Sequence, residues 1–170
     1  MDVYEAIAAP KSVRAFLDRD IPEEVLTRIL NAARLAPSAR NFQEWRFIVV
    51  RDPTMRQKLA RAAKDQRQVA EAPVVLVCCA ETNEHVMTCG QLCYPIDLAI
   101  AIDHITLCAV AENLGTCWIM ALDYEVLSQA IDQDSSQFVS CITPLGFPSE
   151  RAFASEGTSR KNAHEVIELI

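Results

Sequence analysis

APSARNFQEW, residues Ala36 to Trp45, joins a segment that reads as a helix to the run RFIVV, which reads as a strand by its β-branched and aromatic content. Before it, Val25, Leu26, Ile29, Leu30 and Ala33 recur at three and four residues and give one apolar helical face. Ile21–Pro22–Glu23–Glu24 opens that helix, with Pro in the first turn and acids at the positive end of the dipole. Pro37 stops it. A helix-to-strand turn needs little beyond Gly, Pro or Asp. This one carries Ser38, Asn41 and Gln43, whose side chains donate and accept, framed by Pro37 and Trp45. The helix–turn–strand order sets the class of the fold, and the polar side chains raise the question of what they satisfy.

Working outward, Val74 to Ala80 is an uninterrupted apolar run, suited to a central strand buried on both faces. Asp2 to Ala9 reads as a short helix ended by Pro10, and Asp52–Pro53 caps a helix running to about Lys64. Pro95 to Leu114 is the longest helix, and Gly115 fits its C-terminal left-handed position. Cys117 to Leu122 is a strand or a buried loop, Asp123 caps another helix, and Phe138 to Leu145 is a last strand ending in GFP. The alternation predicts an α+β or α/β fold with a small sheet between helices, residues 1–170 forming a single domain without repeat or linker. The tail after Phe147 is polar, with Val166, Ile167, Leu169 and Ile170 gathered at its end. It has too little apolar surface to pack on its own.

Of the 170 residues 51% are hydrophobic, which excludes disorder. The formal charge of −7 argues against a nucleic-acid partner, which needs a dominant basic face. The start MDVYEAIAA lacks a secretion signal's basic flank, and no apolar run is expected to reach membrane-spanning length. Seven cysteines, mostly inside apolar runs, read as buried reduced thiols and point to the cytoplasm.

Lys11, Ser12 and Arg14 in PKSVRAF place two cations and a hydroxyl within four residues. On an extended chain Ser12 and Arg14 share a side, an arrangement suited to a phosphate dianion; a solvated basic turn would have the same composition. A second small basic cluster is SRK, Ser159 to Lys161. His85, Cys89 and Cys93 fall at i, i+4 and i+8, where one helix face could carry them as metal ligands, but no fourth ligand is evident, Gly90 interrupts the segment and the spacing matches no common zinc or cluster motif. Cys78 and Cys79 are adjacent on a strand and face opposite sides. His104 beside Asp103 reads as a satisfied core or interface histidine, and Trp45 and Trp118 as packing anchors.

PKSVRAF, APSARNFQEW and LGTCWI, in that order, resemble the FMN-dependent nitroreductase family, whose members carry RRSxRxF-like, APSxxNxQPWxF-like and GLGTCWIG-like segments. The resemblance covers nearly the whole chain and ends with a tail pair like Arg160–Lys161. It implies an intertwined homodimer with FMN at the interface and a small mixed or antiparallel sheet flanked by helices. It assigns Lys11, Ser12 and Arg14 to the FMN phosphate and ribityl chain, with Arg160 and Lys161 completing the phosphate site. Pro37, Ser38 and Ala39, from the other subunit, lie against the isoalloxazine, while Asn41 and Gln43 fix the loop or reach the ring. Gln68 or Gln66 reaches the pyrimidine edge, and Ile119, Met120 and Ala121 line the ring with backbone amides. The chain departs from the pattern at Pro10, where many relatives have Arg, at Arg40, where they have a small residue, at Glu44, which replaces the Pro of QPW, and at Met120, where Gly is frequent. Glu81 to Tyr94 leaves little room for the lid that larger relatives insert.

The implied chemistry is hydride transfer from NADH or NADPH through the flavin to an electron-poor acceptor such as a nitroaromatic or quinone, with no catalytic side chain and no metal. The acidity of the chain favours NADH over NADPH. The alternatives are flavin storage, sensing or delivery without turnover, reductive dehalogenation, and fragmentation of the flavin with oxygen. Neither a membrane nor a nucleic acid is implied as partner.

Overall fold

The computed structural model describes residues 1–9, 12–131, 138–153 and 159–170. In chain order the elements are α1 (Val3–Ala8), α2 (Glu23–Arg34), β1 (Trp45–Val50), α3 (Pro53–Ala62), α4 (Arg67–Glu71), β2 (Val74–Ala80), α5 (Tyr94–Ala111), β3 (Gly115–Thr116), α6 (Tyr124–Ile131), β4 (Phe138–Gly146) and α7 (Ala163–Val166). The sheet order is β1-β2-β4-β3, with every ladder antiparallel. The fold is α+β.

Period-two alternation along β2 explains why that strand is apolar throughout. Val74, Leu76, Cys78 and Ala80 enter one core with Leu26, Ile29 and Ala33 of α2 and Leu98, Ile102 and Ile105 of α5. Val75, Val77 and Cys79 enter a second core with Leu59 of α3, Val69 of α4 and Leu127 of α6. Helices therefore cover both faces of the sheet, and the two neighbouring thiols point to opposite layers as expected.

Local chemistry sets the helix ends. Asp2 caps α1 by accepting from Glu5 N at 2.9 Å, while the Glu5 carboxylate accepts from Asp2 N at 2.8 Å. Asp52 accepts from Met55 N at 2.7 Å with Pro53 opening α3, and Asp123 accepts from Val126 N at 3.2 Å at the start of α6.

Two expectations are corrected. Asn113, at φ 60°, takes the left-handed residue after α5; Gly115 lies in β3. Asn tolerates that conformation through its short polar side chain, so the glycine was available for a different purpose. Secondly, α5 is long and apolar enough to cross a membrane by length and composition. Here it lies across the sheet, with Leu98, Ala101, Ile102, Ile105 and Ala109 buried.

Candidate active site

The first and third sequence motifs are stitched together. Ser12 forms a parallel bridge with Thr116, and Val13 N donates to Thr116 O at 2.7 Å. The contact is that close because Gly115 has no side chain: an ideal Cβ there would sit 2.3 Å from Val13 Cγ2 and 2.7 Å from Val13 Cβ. Val13 points into the protein, and its extended neighbours Ser12 and Arg14 are exposed on the opposite side. Arg14 is close enough to Cys117 to oppose the burial that pushes this thiol's pKa up.

Arg14 opens onto a pocket of about 360 Å³ that it lines with Ala15, Arg67, Gln68, Glu71 and Arg151. Three guanidinium groups face one carboxylate there, in a chain of net charge −7. Arg67 Nη2 donates to Glu71 Oε1 at 2.6 Å. Gln68 is 7% exposed, and its Nε2 donates to Gln66 Oε1 at 2.7 Å. Gln66 thus orients Gln68 rather than replacing it at the pocket. Ser149 N donates to Ala15 O at 3.0 Å, which carries the turn bearing Arg151 (Glu150–Phe153) to the same wall. Cationic donors and a buried amide suit a ligand with an anionic end and an amide-like edge, which is the chemistry of FMN.

The APSARNFQEW loop is self-braced. Asn41 N donates to Ser38 O at 3.0 Å, Gln43 N to Ser38 Oγ at 3.1 Å, and Gln43 Nε2 to Asn41 O at 3.2 Å. Arg40, Asn41 and Gln43 have φ of 49°, 59° and 55°, the left-handed region that costs non-glycine residues energy and recurs at ligand-binding loops. Ala39 N donates to the Asp97 carboxylate, 3.1 Å from either oxygen, and Asp97 is buried on the first turn of α5. Glu44 is 6% exposed. Its Oε1 meets His85 Nδ1, the His85 ring stacks on Phe42 with centroids 3.7 Å apart, and Glu44 Oε2 has no partner. Where the resemblance expects Pro, this chain has a buried carboxylate tying residues 42–44 to the 81–93 segment.

The remaining expected residues lie apart from the pocket. Pro37, Asn41 and Gln43 are exposed and Ser38 and Ala39 half-buried; none is among the described lining. Ile119 is buried and bridges Ile142, leaving Met120 and Ala121 exposed, so residues 117–122 take the loop alternative. Arg160 and Lys161 are exposed just before α7, and Arg160 Nη1 donates to Ser159 O at 3.4 Å. Pro10 and Lys11 lie outside the described residues. No cluster of three or more metal-ligating side chains occurs among the described residues, and His85 to Cys93 forms a bridged turn around Gly90 rather than a helix. His104 Nδ1 lies 3.2 Å from Ala32 O, a satisfied histidine between α5 and α2. Trp118 Nε1 donates to Thr106 Oγ1 at 2.9 Å inside the core.

The nitroreductase family model matches residues 7–94, more than half of the chain and both N-terminal motifs. The chain belongs to the nitroreductase family. Among its relatives is a Methanothermobacter thermautotrophicus protein with the provisional name NADH dehydrogenase/NAD(P)H nitroreductase; it is 34% identical over 88% of this chain and 79% of its own. The crystal structure of a nitroreductase family protein from Clostridium novyi NT is 33% identical, covers 89% of this chain and 87% of its own, and superposes with a TM-score of 0.83. An FMN-dependent nitroreductase from Clostridium difficile R20291 is 25% identical over 96% of both chains, with a TM-score of 0.80. This nitroreductase-family chain is thus an oxidoreductase of the NAD(P)H-linked nitroreductase type. Within it, Arg67 and Arg151 were not legible as site residues. Arg67 begins a helix too short to show a period, and Arg151 follows the last strand with no motif around it.

Proposed function

We propose that this nitroreductase is an FMN-dependent oxidoreductase that passes hydride from NADH or NADPH to an electron-poor small molecule, a nitroaromatic or quinone, in a ping-pong cycle. The observation that carries the reading is the meeting of Arg14, from the first motif, and Gln68, from the helix before β2, in one pocket. FMN is favoured over FAD because the chain has four glycines and no GxGxxG helix start for a pyrophosphate. When bound, FMN supplies the hydride chemistry, and all 170 residues serve as one domain that holds it.

In this reading Lys11 and Ser12 hold the phosphate, joined by Arg160 and Lys161 from the tail. Arg14 stands one strand repeat beyond Ser12, roughly 7 Å along the same side. It therefore serves the ribityl chain and the polar end of the ring together with Gln68. Pro37 to Gln43 and Ile119 to Ala121 cover the ring from the second subunit and the first. Support for a homodimer comes from apolar groups left exposed: Val3, Tyr4 and Ile7 on α1, Ile96 on α5, Met120, and Val166, Ile167, Leu169 and Ile170 in the tail. Seven cysteines, most of them buried, support a reducing compartment such as the cytoplasm. The acidity of the chain favours NADH over the more highly charged NADPH.

The test begins with the colour of the purified protein and chromatography of the acid-released flavin, followed by anaerobic stopped-flow reduction with NADH or NADPH and reoxidation by a nitroaromatic or quinone. A yellow protein releasing FMN and turning over in both half-reactions is expected. A colourless protein that ignores added FMN refutes the cofactor; bound FMN that neither donor reduces refutes the activity.

A further inference from the structure

Glu44 stands where the family pattern has proline, and its side chain is only 5% exposed. Its Oε1 meets Nδ1 of His85, and its Oε2 has no partner among the described residues. A buried ion pair is a poor fastener for a loop. Desolvating two charges costs about as much as their attraction returns, and an apolar pair of similar volume often holds better. The departure from proline therefore indicates that the charges are used. The imidazole is fixed in two directions. Glu44 accepts from Nδ1, which leaves Nε2 as the nitrogen that takes up and releases a proton. Phe42 lies against the ring face, with centroids 3.7 Å apart and 22° between the planes. The His85 side chain is still 40% exposed, and Nε2 has no partner among the described residues.

We propose that His85 is a catalytic proton donor to the electron-poor acceptor, held in its working tautomer by Glu44. The proposal rests on the FMN reading above, in which residues 37–43 lie against the flavin ring, and adds a proton donor to it. Both acceptor classes need a proton as well as a hydride. A quinone takes one of each and becomes a hydroquinone. A nitroaromatic takes one of each, breaks one N–O bond and becomes a nitroso compound and water. The hydride brings both electrons, and the proton lands on the acceptor's oxygen, which a donor spares from carrying the negative charge alone. Phe42 and Glu44, which hold His85, belong to the same loop that covers the ring in this reading. Val86 beside it, and Leu92, which bridges Val86, are exposed apolar residues; with Phe42 they offer surface to a flat aromatic acceptor. The proton leaves from Nε2, the hydrogen on Nδ1 stays bonded toward Glu44, and the ring regains its proton from solvent through its exposed edge. Glu44 touches neither acceptor nor flavin. It is the positioning residue, and its charge offsets the positive charge that the ring carries before transfer.

Stopped-flow kinetics of the full-length, FMN-loaded protein test the two halves of the cycle separately. His85→Gln should leave reduction by NADH at the wild-type rate and slow reoxidation by a quinone about 100-fold or more. Ferricyanide takes electrons and no proton, so it should reoxidise the same variant at the wild-type rate. Glu44→Gln should slow reoxidation by quinone about tenfold or more, again sparing ferricyanide. Independently of turnover, nitrogen NMR of the flavin-free wild-type protein should show the neutral His85 ring protonated on Nδ1. Thermal melts check the fold of each variant, and should His85→Gln fail to fold, Glu44→Gln carries the same comparison. Variants that slow quinone and ferricyanide equally, or slow neither, overturn the proposal, since a role confined to holding the loop does not distinguish the two acceptors. A neutral ring protonated on Nε2 overturns it as well. Wild-type protein that binds no FMN, or whose FMN is never reduced, overturns the reading on which the proposal rests, and the proposal with it.

Discussion

Replacing Gly115 by Ala tests whether the bond between the first and third motifs is what positions the site. The new Cβ would lie 2.3 Å from Val13 Cγ2, 2.7 Å from Val13 Cβ and 3.0 Å from Val13 Cγ1. Carbon atoms prefer about 3.5–4 Å, so Val13 must retreat by roughly 1 Å. Rotation about its χ1 gives no relief, because the Cβ itself is in the way. The backbone of residues 12–14 has to move, stretching the 2.7 Å bond from Val13 N to Thr116 O. Overpacking of this kind costs about 1–3 kcal/mol and the weakened hydrogen bond about 1 kcal/mol more. For a chain of this size, ~2–4 kcal/mol is a Tm decrease of roughly 5–15 °C. Because Ser12 and Arg14 flank Val13, FMN affinity should fall about tenfold or more as well. Val13→Ala removes both methyl groups but keeps the Cβ, so the double variant should recover stability only in part, with a coupling energy of about 0.5–3 kcal/mol. Urea unfolding of the flavin-free proteins and fluorescence titration with FMN measure both effects. A Gly115→Ala protein that matches wild type in stability and affinity, or strict additivity with Val13→Ala, refutes the reasoning.

Thr106→Val removes the acceptor of Trp118 Nε1 and of Thr116 Oγ1 and should destabilise by about 1–3 kcal/mol, with a shift in tryptophan emission if the ring finds water instead. Arg28 bonds to Glu112 through two nitrogens and holds that carboxyl below its unfolded value. The pair's contribution is therefore complete above the usual carboxylate range and fades as pH falls through the lowered folded value. Glu112→Gln should flatten that acid limb in urea melts between pH 7 and 3, by a small amount because both groups are exposed. Alkylation at neutral pH should modify Cys89 first. Cys78, raised well above its ordinary value by burial, and Cys141, also raised by burial, should react only after denaturation, as mass spectrometry with and without urea would show. Rapid labelling of Cys78 in the folded protein would contradict that burial.

The sequence was most informative where one physical signal acted alone. Val74–Ala80 was legible to the residue because a strand covered on both faces has no polar side to interrupt it. The caps at Asp52 and Asp123 were readable because a short acidic side chain before a helix has few other uses. Gly115 was misread because two local reasons for glycine, a left-handed turn and a close approach, are indistinguishable without the neighbouring chain. Asn113 met the first need and left the second to Gly115. The left-handed Arg40 and Gln43 were hidden for a similar reason: the loop's own hydrogen bonds to Ser38 and Asn41 brace a conformation that neither residue prefers. Around the pocket, PKSVRAF pointed to Ser12 and Arg14 and the family resemblance to Gln68 or Gln66; Arg14 and Gln68 line it, and Ser12 bridges Thr116 beside it. Arg67 and Arg151 join them only through folding, and no spacing along the chain encodes that meeting.

The position of β4 has a consequence for how the chain acquires its shape. This last strand lies between β2 and β3, and β3 in turn is the neighbour of Ser12. During synthesis, α5 and one edge of β2 emerge well before the strand that will cover that edge. Until residue 146 is available, β3 has no strand of the sheet to join, so the Ser12–Arg14 segment has no firm anchor. Pairing across such long sequence separations is slow, and it leaves apolar surface uncovered meanwhile. Ligand-binding competence is therefore expected to arrive late, after most of the hydrophobic layers have assembled. A ribosome-stalled series of lengthening chains, probed for FMN binding, would measure that delay. Binding by chains that end before β4 would contradict it.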